Sequence, residues 1–472
     1  MQVSADPEKA QSGALLPATH AGYSSTVYLH GQPVGMMPAQ DPRTQRLRGR
    51  RFCVRLIHWL VLDIFLLLII LLTFRDFHKI VHAVKNAFTA GNSAVVPGDH
   101  EVHLPFDCVE VAEWDNADDL DRHDGYEHVV HTSVDLPISS DLLYFLGHGH
   151  LTHGIINFVD SNVHDSNTAS VDVTFSYSWH DHDHEHDLSE LLKVCRLHRA
   201  EGKDGVGIFS PERSHYPGGH YHRSRVEVVV QLPSSAKIKA LDASLPLFVH
   251  ELGDFHNSVT FGDIKLKTSN SPITAQFLTA DKISLETSNS HIAGTFNSTD
   301  AIDVFTSNSF INGDFYLSND AGSSNPSRIN LHSRNAPVNA KFYLTSTAAD
   351  QKQGSFNVDV QTSNSPLDVK FNDAPVDSRV TFIGKTSNSH ALATLHETFE
   401  GKFSVSTGRW FEAGVHVEKK EDPSGKGRER HVSQIGSHRG HAEGKAFWGD
   451  ADILGPGYAE LTTSNSPAHL YF

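Results

Sequence analysis

The sequence is poor in cysteine, short of basic charge and empty of familiar catalytic signatures. Three cysteines in 472 residues, Cys53, Cys108 and Cys195, are too few for a disulfide scaffold. Lys and Arg number 39 against 56 Asp and Glu, a formal charge of −17. No domain-sized stretch is basic enough to track a phosphate backbone, which excludes nucleic acid as a partner. There is no G-x-S-x-G, no P-loop and no dinucleotide fingerprint. Beyond residue 100 there is no long helical periodicity. With 39 % hydrophobic residues, 34 Gly and 20 Pro, the composition suits a β-rich, loop-rich protein with a disordered part, in two or three domains.

One apolar run is present. Leu56–Phe74 is nineteen residues long, fifteen of them Leu, Ile, Val or Phe, enough to span a bilayer as a helix. Those fifteen contribute about −4.5 to −9 kcal/mol to insertion, against a cost of about 2.5 to 3.5 for Asp63. Six arginines, Arg43 to Arg55, precede the run, and only Arg75 and Lys79 follow closely. The positive-inside rule then predicts a single-pass type II protein of the plasma membrane or a secretory-pathway membrane. Residues 1–50 read as a disordered cytoplasmic tail, 52–74 as the transmembrane helix and 75–99 as a stalk. Asp63 could bond a partner helix or be merely tolerated. Cys53, beside the basic cluster, could be palmitoylated or unmodified.

The most informative feature is a repeat. Thr-Ser-Asn-Ser occurs at 268–271, 287–290, 306–309, 362–365, 386–389 and 463–466, with the variant Ser333-Arg334-Asn335-Ala336. Alternating segments precede it, such as Ile264-Lys265-Leu266-Lys267, and Phe recurs nine positions after its first residue, from Phe277 to Phe472. Alternation sends Ile264 and Leu266 to one face, and places Ile273 and Phe277 together after the turn. Such a unit cannot bury its face alone and must stack on its neighbours. Stacking in register brings Asn270, Asn289, Asn308, Asn335, Asn364, Asn388 and Asn465 to about 4.8 Å spacing, as an amide ladder. The expected fold class is therefore all-β: a β-solenoid-like stacked repeat ectodomain, plus one transmembrane helix. Residues 100–235 form its N-terminal β part and 236–472 the repeat solenoid, with a polar, mobile insertion at 412–450.

At these residues the chain resembles a fungal family of single-pass membrane proteins whose domain of unknown function carries repeated T-S-N-[SA]-P-[IL]. More distantly it resembles adhesin head domains of bacterial surface proteins. The likeness covers about residues 100–472. It implies a β-repeat ectodomain and brings no catalytic residues. His291, His390 and Phe310 depart from the family's Pro, and the His180–His186 run is a further departure.

That run holds the strongest chemical candidates. In an extended strand His180, His182, His184 and His186 share one face and could take Zn²⁺, Cu²⁺ or Ni²⁺, with His148, His150 and His153 as further ligands. Read otherwise, it is a solvated acidic loop, and no resident cofactor is required. Cys108 and Cys195 could form a disulfide in an oxidising compartment. Asn297-Ser298-Thr299 is an N-glycosylation sequon at a turn between coils. The expected role is a non-enzymatic adhesin-like or scaffold surface, with cell-wall glycan or surface proteins as partners. The alternatives are a carbohydrate-active enzyme using Asp263, Lys265, Asp303, Arg328 and Arg334, or a His-rich metal-binding module.

Overall fold

The computed structural model describes residues 102–472 apart from 103, 117–124, 163–166, 179–187, 213–222, 321, 324 and 451–454. Residues 98–472 make one compact unit, nearly all β, with a single four-residue helix, α1 (Leu188–Leu191), among the described residues. Among them no helix is long and apolar enough to cross a membrane. The segment 52–74, the tail and the stalk lie outside them.

The strands form two rows of parallel pairs. Row A runs in space β8 (Lys203–Phe209), β4 (Leu142–His148), β10 (Lys237–Ser244), β12 (Thr260–Lys267). It continues through the second halves of β13 (Ile273–Glu286) and β14 (Ile292–Thr306), then β16 (Ser327–Ser333), β18 (Ser355–Gln361) and β20 (Arg379–Lys385). Row B runs β9 (Arg223–Leu232), β5 (Gly154–Asp160), β11 (Phe248–Asp254), then the first halves of β13 and β14. It continues with β15 (Ile311–Asn319), β17 (Val338–Ser346), β19 (Leu367–Asp373) and β21 (Ala391–Thr394). Each coil is one strand of row A, a turn, and one strand of row B. The rows join where β13 and β14 pass from one to the other without a break.

Alternation decides what lies between the rows. Ile264 and Leu266 are buried while Lys265 and Lys267 are exposed, as a two-residue period requires. One apolar cluster extends from Val130 to Phe472, so nothing separates the repeat region from the part before residue 235. Inside it Phe296, Phe315, Phe342 and Phe371 form a column, with successive ring centroids 5.4, 6.0 and 5.0 Å apart. Phe277 does not join them. A bulge after Ala275 puts an extra residue into β13, so Leu278 pairs with Phe296 and fills the core position. Phe277 turns outward against His256, centroids 4.3 Å apart. Gly294, at φ +144°, accommodates the bulge: a Cβ there would lie 2.1 Å from the Ala275 carbonyl oxygen.

Spatial order departs from chain order at both ends. The coil of β26 (Gly457–Thr462) and β27 (Ala468–Tyr471) is inserted between β20/β21 and an earlier coil, β22 (Gly401–Ser406) and β23 (Ala413–His416). Antiparallel strands close the rows. Beyond β8 lie β7 (Lys193–Ala200) and β1 (Cys108–Val111), and beyond β9 lie β6 (Thr168–Ser178) and β3 (His128–Pro137). Beyond β22 lie β25 (His441–Trp448) and β24 (Arg430–His438). The polar insertion is thus a built element, not a mobile excursion. Asp422 fixes its loop, accepting from the Ser424, Lys426 and Arg428 backbone N–H groups and from the Arg428 guanidinium. Arg428 foremost holds the Asp422 carboxyl far below the usual carboxylate range.

The repeated turn is held twice. Outside, each Asn donates from Nδ2 to the Oδ1 of the Asn one coil earlier, from Asn289→Asn270 at 2.6 Å to Asn465→Asn388 at 2.7 Å. Inside, the buried first residue of the motif donates its hydroxyl to the backbone carbonyl of the fourth residue one coil earlier. Thr306 reaches Ser290 at 3.0 Å, Ser333 reaches Ser309 at 3.1 Å and Thr386 reaches Ser365 at 3.0 Å. Removing a buried donor leaves a desolvated carbonyl, whereas an exposed amide is replaced by water. Thr386→Val should therefore cost about 1–3 kcal/mol, and Asn388→Ala about 0.5–1.5 kcal/mol. Equilibrium denaturation of the two variants checks that ranking.

Candidate functional site

The exposed outer face of row A carries the regular chemistry of the molecule. In register, its outward positions near the turn are Lys267, Glu286, Phe305, His332, Gln361 and Lys385. Next to them stand the second residues of the turns, Ser288, Ser307, Arg334 and Ser363. Glu286, Phe305, His332 and Gln361 from the first set and all four of the second line a trough of about 480 Å³ along four successive coils. Phe305 is 39 % exposed, the one apolar side chain among the six outward positions. It meets His332 edge-on, centroids 5.2 Å apart. The walls are tied by Lys267 Nζ donating to Glu286 Oε1 at 2.9 Å, and by Gln361 Nε2 donating to Asp359 Oδ1 at 2.7 Å. His332 Nε2 lies 3.3 Å from the same Asp359 oxygen. Burial raises the Asp359 carboxyl, but the bonds from His332 and Gln361 outweigh it and hold the group below its ordinary value.

The polar candidates of this face are neutralised along the row. Arg328 Nη2 lies 3.2 Å from Asp303, and Asn330 donates to the same carboxylate at 2.6 Å. Asp263 lies 3.9 Å from Lys282, and Lys265 is in register between Asp242 and Ser284. Arg334 stands apart in the trough, exposed and without an ion pair among the described residues.

His180, His182, His184, His186 and Cys53 lie outside the described residues. The histidines expected to assist do not converge. His148 faces Glu212 at 3.3 Å, His150 bonds the Pro211 carbonyl and His153 the Ser224 carbonyl. Among the described residues no three metal-binding side chains gather. Cys108 and Cys195 are joined as a disulfide between β1 and β7, Cα atoms 5.5 Å apart. Beside it, Tyr144 and Arg199 both donate to Asp107 at 3.2 Å. Burial, aided by Asp107, pushes the Tyr144 hydroxyl up to about 12. Asn297 lies within β14, half-buried, rather than at a turn. Its sequon partner Thr299 donates to Asp281 at 2.7 Å. The seven asparagines of the ladder are brought together.

Sequence reasoning missed the threonine hydroxyls, whose signal was the invariable Thr or Ser at the first motif position. It also missed His250, fully buried in row B, with neither ring nitrogen bonded.

No known protein family matches the chain, and no curated protein does. Among solved structures, a candidate cell adhesion protein from Clostridium sporogenes aligns with 72 % of this chain and 99 % of its own, at 7 % identity and a TM-score of 0.14. At that score the likeness carries no argument.

His250 gives the stability of the fold a measurable pH dependence. Burial lowers its pKa from 6.5 to about 3, so the fold requires the neutral ring. Stability is full above pH 6.5 and falls as pH drops toward 3, by about 1.4 kcal/mol per unit. Denaturation of wild type and His250→Leu between pH 7 and 4 checks this: the variant should lack that part of the loss.

Proposed function

We propose that the protein is a non-enzymatic, adhesin-like or scaffold ectodomain that displays an extended β surface to cell-wall glycan or surface proteins. Its attachment is the helix expected at 52–74, in a type II arrangement in the plasma membrane or a secretory-pathway membrane. The observation that supports this reading is the in-register ladder of seven asparagines. It rules the turn corner at a constant rung spacing and keeps the adjacent side chains in fixed rows. A surface of this kind recognises by repetition: each rung offers the same geometry, so a linear partner gains contacts with every coil it follows. Asp263 and Asp303, the two acids of the enzyme alternative, each face a basic side chain along the row, Lys282 at 3.9 Å and Arg328 at 3.2 Å.

The full chain, immobilised and offered isolated cell walls and surface-protein extracts, should retain one of them saturably. Release of reducing or unsaturated ends from wall polysaccharide would replace this reading with an enzymatic one.

A further inference from the structure

We propose that the trough at the turn corner of row A is a binding subsite for an extended, uncharged hexose polymer. Phe305 is its stacking platform and Arg334 its main hydrogen-bond donor. The inference rests on the display role above and names the class of ligand.

The turn sequence points to Arg334. In the other repeats the second motif residue is serine, and only the variant turn 333–336 replaces it by a guanidinium. Its neighbours one coil to either side, Ser307 and Ser363, keep their hydroxyls at the trough wall. Guanidinium and hydroxyl groups placed this way suit the vicinal hydroxyls of a sugar ring. The strand sequence points to Phe305. At the outward end of Ile302-Asp303-Val304-Phe305 alternation calls for a polar residue, and an exposed ring there leaves apolar area in water. A hexose supplies both complements at once, a face of C–H bonds for the ring and a rim of hydroxyls for the donors.

Size and charge narrow the class. Four rungs at about 4.8 Å give a trough about 14 Å long, the reach of several linked sugar rings rather than one small molecule. Glu286 is already matched by Lys267, so Arg334 is the trough's unmatched charge. On a chain of net charge −17 a polyanion would be repelled at long range. A neutral polymer meets no such barrier.

The test is fluorescence-polarisation titration of the full chain with labelled β-linked hexaoses of glucose and of N-acetylglucosamine, and with oligogalacturonate. At least one neutral hexaose should bind. Phe305→Ala and Arg334→Ala should each weaken it tenfold or more, while Ser387→Ala, one coil beyond the trough, should leave it unchanged. Binding of oligogalacturonate alone, no binding of either neutral hexaose, or equal binding by both trough variants would overturn the proposal. In each of those cases, continued retention of the wild type on cell walls or surface proteins would leave the display role standing. Loss of that retention would remove the display role itself.

Discussion

A buried hydroxyl bonded to the carbonyl of the coil before it governs the rest of the molecule. The corner where row A turns into row B takes backbone groups out of the regular strand pairing. Unless they find partners, each would cost about as much as a lost hydrogen bond. Thr287, Thr306, Thr362 and Thr463 supply the partner from within. The carbonyl of the second motif residue accepts two N–H groups from the next coil, as Ser288 does from Ser307 and Asn308. With the corner fixed, the register of both rows follows, because a slip of one residue would turn every inward side chain to water. The asparagine ladder lies outside this arrangement and aligns it, but the interior bond is made from a buried side chain.

Parallel coils of this kind expose a row of unpaired backbone groups at each end, a template for unwanted pairing. Three of the four row ends are met by antiparallel strands that cannot continue the repeat. The disulfide ties β1 to β7 at one of them. At another, Arg430 is held over Trp448 and donates to the Glu397 carbonyl. Burial lowers the Arg430 pKa to about 10, still fully charged near neutrality. To the hydrogen bonds and packing of the coils the caps therefore add a covalent bond and a cation held over an aromatic ring.

Much of this was legible because a repeat states its own register. The alternation in 264–267, the turn residues and the seven asparagines each predicted a contact that the folded chain makes. Phe277 shows where such reasoning fails. The interval of 19 residues between the first motifs is the same as between the next two, yet two bulges hide in it. One adds a residue to β13 after Ala275, and the other adds one to β14 after Ser298, so the count is restored. A sum cannot reveal terms that cancel. The hairpin of β24 and β25 escaped for another reason: its sequence is polar because one face is solvated, and the charges that suggested mobility, Asp422 and Arg428, are the ones that fasten it. Phe305 was visible in the strand pattern, but only the neighbouring coils show that it lies in a trough with Arg334.

The insertion of β26 and β27 between older coils has a consequence in time. A ribosome delivers residues 401–416 well before 457–471, so β22 and β23 emerge with no permanent neighbour on the side that faces β20 and β21. Until the later segment arrives, each of those strands lacks the backbone partner that β26 or β27 finally supplies. That later segment enters between strands already made, and gains parallel partners on both of its sides at once.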